Sequence, residues 1–488
     1  MRSRILLATL LSASCCVGAA FALFQPFGSD GSDDRPSGRP PAQSEGIVAS
    51  AESGASEASA AAGTKTAEAL SYWPQWRGPL GTGVAPQSDP PIRWSEDHNV
   101  RWKVALPGKG HSTPIVWGAY VFLTAAVPYG EALPPRYSDR PGEHDNLPTT
   151  HRHEFVVLAI ERENGEILWR RTVARDLPRE TGHMTASLAS NSPVTDGEHV
   201  YAFFGSRGLH CLDFAGNVKW TKDLGDMHTL HGHGEGASPA LYGDLLVVNW
   251  DHEEQSFLFA FDKRTGRERW KVEREEPTSW ATPVIIEQDG RPQVIVSGTN
   301  RIRGYDLTTG KVLWSCGGLS TNVVASPVAA GGMVYAGSSY DKRVMLGLRI
   351  TGARGDLTGT DRVVWSRIRG APYVPSPLLY DDALYFLNHY QNVLTRVDAR
   401  SGEDQPGPMR LGPLGSMYAS PVGAADRLYV TDLQGSTAVI THSKGPEILA
   451  VNRLDDTISA SAAVAGRELF LRGARFLYCL AEPESSAE

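Results

Sequence analysis

A small hydroxyl residue followed by proline recurs along this chain at a nearly fixed interval. That interval constrains the fold more than any other feature. The pairs are Thr113-Pro114, Ser192-Pro193, Ser238-Pro239, Thr282-Pro283, Ser326-Pro327, Ser376-Pro377, Ser420-Pro421 and, with alanine for proline, Ser461-Ala462. The first interval is 79 residues and the others run from 41 to 50. Each pair is followed by a short β-branched or aromatic run. A period in this range marks a propeller or another repeat array, because one unit cannot bury its apolar face alone and must stack on a neighbour.

The unit from Ser326 to Trp365 shows what is repeated. Ser326-Pro-Val-Ala-Ala opens an inner strand, and Gly331-Gly332 supplies a turn, where glycine takes positive φ without steric cost. Met333-Val-Tyr-Ala-Gly, Val344-Met-Leu-Gly-Leu-Arg and Val363-Val364-Trp365 read as three further strands. Four antiparallel strands make a propeller blade. The last unit starts at Ser461 and stops at Phe476-Leu-Tyr-Cys-Leu480, one strand short. Val100-Arg101-Trp102-Lys103-Val104 precedes the first opening and supplies the missing strand, which leaves no open edge. The expected fold is all-β: an eight-bladed β-propeller of four-stranded antiparallel blades, its last blade closed by an N-terminal strand. It covers residues 71–482, with residues 483–488 as a tail. The first unit carries an insertion from about Val127 to Arg152.

Arg2 and Arg4 precede an uncharged stretch from Ile5 to Phe24, and Ala20-Phe21-Ala22 offers a small-x-small cleavage site. Residues 1–24 therefore read as a signal peptide or, retained, a membrane anchor. Lipidation at Cys15 or Cys16 is disfavoured by Ser12, which stands where an aliphatic residue is wanted. Residues 25–70 are rich in Ser, Ala, Gly and Pro and read as a disordered linker. The expected location is the periplasm or cell envelope, with membrane attachment only through the N-terminal segment. A net charge of −8 argues against nucleic acid as a partner. Outside the signal, Cys211, Cys316 and Cys479 are an odd number on different repeats, which suits buried small apolar residues rather than a disulfide framework.

Several units end in a sharper pattern. Asp262-Lys-Arg-Thr265-Gly266-Arg-Glu-Arg-Trp270 and Asp306-Leu-Thr-Thr309-Gly310-Lys-Val-Leu-Trp314 are the clearest, with looser copies ending at Trp169 and Trp220. This motif resembles the repeat of the quinoprotein (PQQ-like) β-propeller superfamily over about residues 72–482. More narrowly, Trp73-Pro-Gln-Trp76-Arg-Gly, His233-Gly-Glu235-Gly-Ala-Ser-Pro, Asn249-Trp-Asp-His-Glu253, Thr278-Ser-Trp-Ala-Thr-Pro283 and Ser297-Gly-Thr-Asn-Arg301 are similar to stretches of exported bacterial PQQ-like repeat proteins. That group is related to the propeller lipoprotein of the outer-membrane barrel-assembly machinery. The resemblance implies two kinds of function. Dehydrogenases of the superfamily hold pyrroloquinoline quinone with a calcium or lanthanide ion, an aspartate base and, in many members, a disulfide between adjacent cysteines. The assembly lipoprotein binds partners without a cofactor. Here the one adjacent pair, Cys15-Cys16, falls in the export signal, and no Cys-x-x-Cys-His is present.

Propeller strands alternate in direction, so the loop before each inner strand and the loop between the second and third strands share a face. Binding residues belong on such loops. The opening loops carry His111, His183, Asn191, His231, His233, Glu235, Trp280, Asn322, Tyr373, Tyr418 and Asp456. The second set carries Asp251, His252, Asn300, Arg301, Tyr340, Asp341 and His389. His231, His233, Glu235 and Asp251 lie on neighbouring loops of the third blade and are candidate ligands for a divalent metal, although they suit loop hydrogen bonding equally well. The insertion, with His144, His151 and His153, reads as a lid or as a solvated loop. We expect a non-catalytic ligand- or protein-binding assembly scaffold, monomeric, whose partner is a protein or small polar ligand. The alternatives are a PQQ- or metal-dependent oxidoreductase and a hydrolase or lyase acting on sugars. No cofactor is required by the residues; PQQ and a divalent metal are the two at issue.

Overall fold

A computed structural model of the chain describes residues 67–483. The segments expected as an export signal and most of the expected linker, together with the last five residues, lie outside them. Eight four-stranded antiparallel sheets follow one another around a ring. The first blade comprises Ile115–Trp117, Tyr120–Tyr129, Arg152–Glu161 and Ile167–Asp176. The inner strands of the next six begin at Val194, Ala240, Val284, Val328, Leu378 and Val422. The eighth blade has Ala463–Ala465, Glu468–Arg472 and Phe476–Leu480, completed by Val100–Ala105. That last strand pairs antiparallel with Phe476–Leu480, placing Trp102 opposite Cys479. The ring closes as the repeat count predicts.

The apolar core is not central. It lies in layers between adjacent blades, because each sheet has two faces to cover. Ile295, Trp314 and Leu319 pack with Val334 and Leu346 between blades four and five, and Phe122, Val157 and Ala159 pack with Val200 and Leu212 between blades one and two. Cys211, Cys316 and Cys479 are buried and free in these layers.

The Thr-Gly…Trp motif is the fastener between layers. Trp270 donates its Nε1–H to the carbonyl of Leu307 in the next blade at 2.8 Å, and its ring lies against Gly310. Trp102, Trp169, Trp220 and Trp365 repeat this on Arg162, Phe214, Lys263 and Ala399. The glycine is needed twice over. It holds φ +73° at Gly310, and a Cβ there would sit 2.9 Å from the Trp270 ring. The aspartate of the motif accepts the turn's own N–H groups; Asp306 Oδ1 takes those of Thr308 and Thr309. Trp314 departs from the rule. Its Nε1–H goes to Gln293 Oε1 in its own blade. The connection in blade five is longer, and its Gly355–Asp356 adds a short parallel strand beside Trp314 and Ser315 instead.

Residues 73–85 run across the ring. Trp73 exchanges backbone bonds with Val116 of blade one, and the Pro74 carbonyl accepts Thr195 N–H of blade two. Trp76 Nε1 reaches Ser326 Oγ of blade five at 3.3 Å. The buried Arg77 donates to the carbonyls of Pro377 and Pro421, in blades six and seven, at 2.8 Å each. Ala85 N–H reaches Gly423 O. The segment thus spans the channel, and Trp76 faces into it. Among the described residues no helix is long and apolar enough to cross a membrane.

Candidate functional site

The hydroxyl residues of the openings meet inside the ring. Each hydroxyl oxygen accepts the backbone N–H of the preceding blade's opening residue: Thr113 to Ser192 at 2.9 Å, Ser192 to Ser238 at 2.9 Å, Ser238 to Thr282 at 3.0 Å. The belt continues through Ser326, Ser376, Ser420 and Ser461. This explains both halves of the repeated pair. Serine or threonine supplies the acceptor. Proline brings no further N–H to satisfy and keeps the hydroxyl residue extended. At the last seam, between blades eight and one, the pattern changes. Thr113 Oγ1 is buried without a hydrogen-bond partner. Buried Arg472 clamps the seam instead, donating to the carbonyl and hydroxyl of Ser112. Burial lowers the Arg472 guanidinium to about 9. His111 beside it is pushed down to about 3 by burial, with Lys109 and Arg472 adding repulsion, so it is neutral.

Above the belt lies an open cavity of about 640 Å³ with Trp76 as its floor. Its two walls differ. On the side of blades five to seven stand Tyr340, Tyr373, His389, Tyr390 and Tyr418. Tyr340 stacks on Tyr373 at 5.9 Å, Tyr373 on His389 at 4.7 Å, and Tyr390 on Tyr418 at 5.9 Å. Asn322 Nδ2 donates to Tyr373 Oη at 3.1 Å.

The opposite wall is imidazole. His144 of the insertion packs against His233 at 4.8 Å and His231 at 5.1 Å, and His183 meets His233 at 4.9 Å. The insertion is latched there. Its Asn146–Leu147 pairs with Gly182–His183. Asn146 Nδ2 donates to the carbonyls of His231 and Gly232, while Asn146 Oδ1 and His233 Nδ1 are 2.9 Å apart. Pro141 O sits 3.0 Å from His231 Nδ1. Burial, then the neighbouring imidazoles, lowers His233 to about 4, and burial also lowers His183.

Of the residues expected on this face, His111, His183, His233, Glu235, Trp280, Asn322, Tyr340, Tyr373, His389 and Tyr418 line the cavity. The others serve the loops. Asn191 Nδ2 holds Ala237 O. His252 is tied to Gln255 O. Asn300 takes φ +65° in a turn, and Arg301 reaches Ser315 and Asp356. Asp341 accepts Thr321 N–H, and Asp456 accepts those of Thr457 and Phe476. His231 packs behind His233 and His144. Trp76, His144 and Asp145 also line the cavity. Trp76 lies far from any blade opening, so sequence reasoning gave it no place there; His144 was expected only within an insertion that reads as a lid or a solvated loop, and Asp145 was not singled out.

The metal set expected on blade three is not assembled. Asp251 forms a buried two-pronged pair with Arg274, at 2.7 and 2.9 Å, and accepts Ser279 Oγ–H. Glu235 turns to Ser206, accepting its N–H at 3.0 Å and its hydroxyl. Burial raises the Glu235 carboxyl to about 7. No group of three or more His, Cys, Asp or Glu among the described residues is arranged to hold a metal ion. The quinone does not fit either. Its several carboxylates call for cationic partners, and among the described residues the cavity lining offers Asp145 and Glu235 but no Lys or Arg. The described cysteines are dispersed through the blade layers, so none forms an adjacent pair against the cavity.

Comparison with known proteins agrees with the architecture. The europium-containing methanol dehydrogenase superposes with a TM-score of 0.56 at 9% identity, over 85% of this chain and 92% of that one. A quinohemoprotein alcohol dehydrogenase from Pseudomonas putida gives 0.50 at 11%, over 88% and 84%. BamB from Moraxella catarrhalis gives 0.46 at 15%, over 73% and 99%. At these identities the likeness to the two dehydrogenases is one of fold. No curated protein matches the chain in sequence. A family match does exist, over residues 153–407, to outer membrane protein assembly factor BamB. With the eight blades, the hydroxyl belt and the tryptophan fasteners, that match identifies the chain as a member of the PQQ-like propeller family described by the assembly factor BamB.

Proposed function

We propose that this chain is an exported, non-catalytic binding propeller of the cell envelope, related in role to the assembly factor of its family, and that the floored cavity is its binding face. The observation that carries this reading is the composition of that cavity. It is walled by aromatic rings and belted by hydroxyls, with no Lys or Arg in its lining. Such a surface suits recognition: large rigid rings give contact area, and fixed polar groups give orientation. A cofactor with several negative charges finds no cationic side chain in that lining, among the described residues.

The test adds pyrroloquinoline quinone and Ca²⁺ to the purified full chain. No thermal shift and no dye reduction with alcohols are expected. Quinone-dependent dye reduction sinks the reading. Crosslinking in the native envelope should recover one consistent partner; recovery of none across repeated preparations counts equally against it.

A further inference from the structure

We propose that the cavity binds a neutral oligosaccharide, whose C–H surfaces lie against the tyrosine row while its hydroxyls exchange hydrogen bonds with Asn322 and the belt. This rests on the cavity being the binding face, and it names the chemistry of what binds. Asn322 is 3% exposed, lines the cavity, and has a buried Oδ1 with no hydrogen-bond partner. A buried polar atom left unpaired is costly, so this one asks for a donor from outside the protein. The belt asks for the opposite. Ser192, Ser238, Thr282, Ser376 and Ser420 each already accept a backbone N–H and keep a hydroxyl proton to donate. A ligand that both gives and takes hydrogen bonds without charge is a polyol.

The walls narrow this further. Tyr340, Tyr373, His389, Tyr390 and Tyr418 pack into a row of rings along one wall, with the half-exposed Tyr340 at its end. The edges of that row and the open side of Tyr340 suit the C–H surfaces of a pyranose. An anion is disfavoured because the lining has no Lys or Arg. The volume of about 640 Å³ lies within the ~300–1,000 Å³ usual for small-ligand sites and leaves room for more than one sugar ring.

The experiment uses the purified full chain with chitotriose, cellotriose and maltotriose as probes, read by titration calorimetry and tyrosine fluorescence. At least one should saturate. Tyr340 is 45% exposed, so its removal spares the core. Tyr340→Ala should weaken binding about three- to tenfold, and Tyr340→Phe, which keeps the ring, should not. Asn322→Ala should weaken it more, with circular dichroism confirming the fold. Failure of all three sugars to bind at about 10 mM overturns the proposal. So does binding that survives both alanine variants, or saturation by trilysine in place of the sugars. Slow hydrolysis of a bound sugar supports the saccharide site while removing the non-catalytic reading. Capture of a protein partner by a chain that binds no sugar does the reverse.

Discussion

The two walls of the cavity are built on the same blade framework yet held in opposite ways. The tyrosine wall uses short loops from consecutive blades, and its rings support one another face to face, from Tyr340 through Tyr373 to His389. Only His389 in that row has an imidazole. The histidine wall needs a long insertion, and its rings meet edge to face. Oxygen acceptors stand beside their Nδ1 atoms: Gly142 O by His144, Pro141 O by His231 and Asn146 Oδ1 by His233. One wall is therefore chiefly aromatic, with a single imidazole in its row. The other is polar and depends on its imidazoles remaining neutral.

Acid should separate the walls most sharply. His233 is lowered to about 4 and His183 is lowered as well. A depressed histidine takes up its proton more readily once the latch opens. Closure is therefore fully favoured above the ordinary histidine value of about 6.5 and is lost as pH falls towards about 4. The groups facing these rings are His144, His231 and Asp145, and Asp145 opposes the effect without cancelling it. Residues 130–151 should lose hydrogen-exchange protection by about tenfold or more over that interval, with the Tyr373 and Tyr418 loops changing far less. Equal loss on both walls breaks the comparison.

Asn146→Ala should open the same latch at neutral pH. It removes donors to His231 O, Gly232 O and Thr181 Oγ1 and the acceptor facing His233 Nδ1. We expect a local cost of about 2 kcal/mol, read as faster exchange and proteolysis of the insertion, with the melting temperature of the ring nearly unchanged. A large fall in that temperature shows instead that the insertion supports the ring.

Glu235 adds a counter-current within the polar wall. Its carboxyl is raised to about 7, so the folded chain binds a proton before the unfolded one does. Its contribution to stability is present at the acid end and is lost as pH rises through about 7, opposite in sign to the histidines. Glu235→Gln keeps an acceptor for Ser206 without the charge. The variant should melt higher than the parent above about pH 7, and the gap should close towards about pH 5. A gap independent of pH shows that the carboxyl is not the cause.

The ring was legible because a repeat writes the same physics many times over. Eight hydroxyl openings, glycine-bearing turns and strand-ending tryptophans each have a single structural use, so their order alone counts the blades and finds the closing strand around Trp102. The tyrosine row was legible for the same reason: its members sit at registered positions before or after known strands. Residues outside the register were not. Trp76 belongs to no blade, and only the path of residues 73–85 across the ring makes it a floor. His144 lies in a segment with no repeat to align it. Asp251 has the right loop and the wrong direction. Its partner Arg274 lies on the fourth strand of the same blade, a pairing that spacing does not reveal.

The smallest expected effect falls on the tyrosine wall. Tyr373→Phe leaves the stack intact but takes away the oxygen that receives Asn322 Nδ2. Asn322 Oδ1 is already without a partner, so the variant leaves the buried amide unsatisfied at both ends. The expected cost is about 1 kcal/mol in thermal unfolding. Tyr390→Phe, which keeps the stack on Tyr418, should stay within about 0.5 kcal/mol of the parent. If the two substitutions cost the same, ring stacking alone orders this wall and Asn322 contributes nothing to it. If Tyr373→Phe costs more, the wall contains one polar anchor, the Asn322–Tyr373 hydrogen bond, within an otherwise stacked aromatic row.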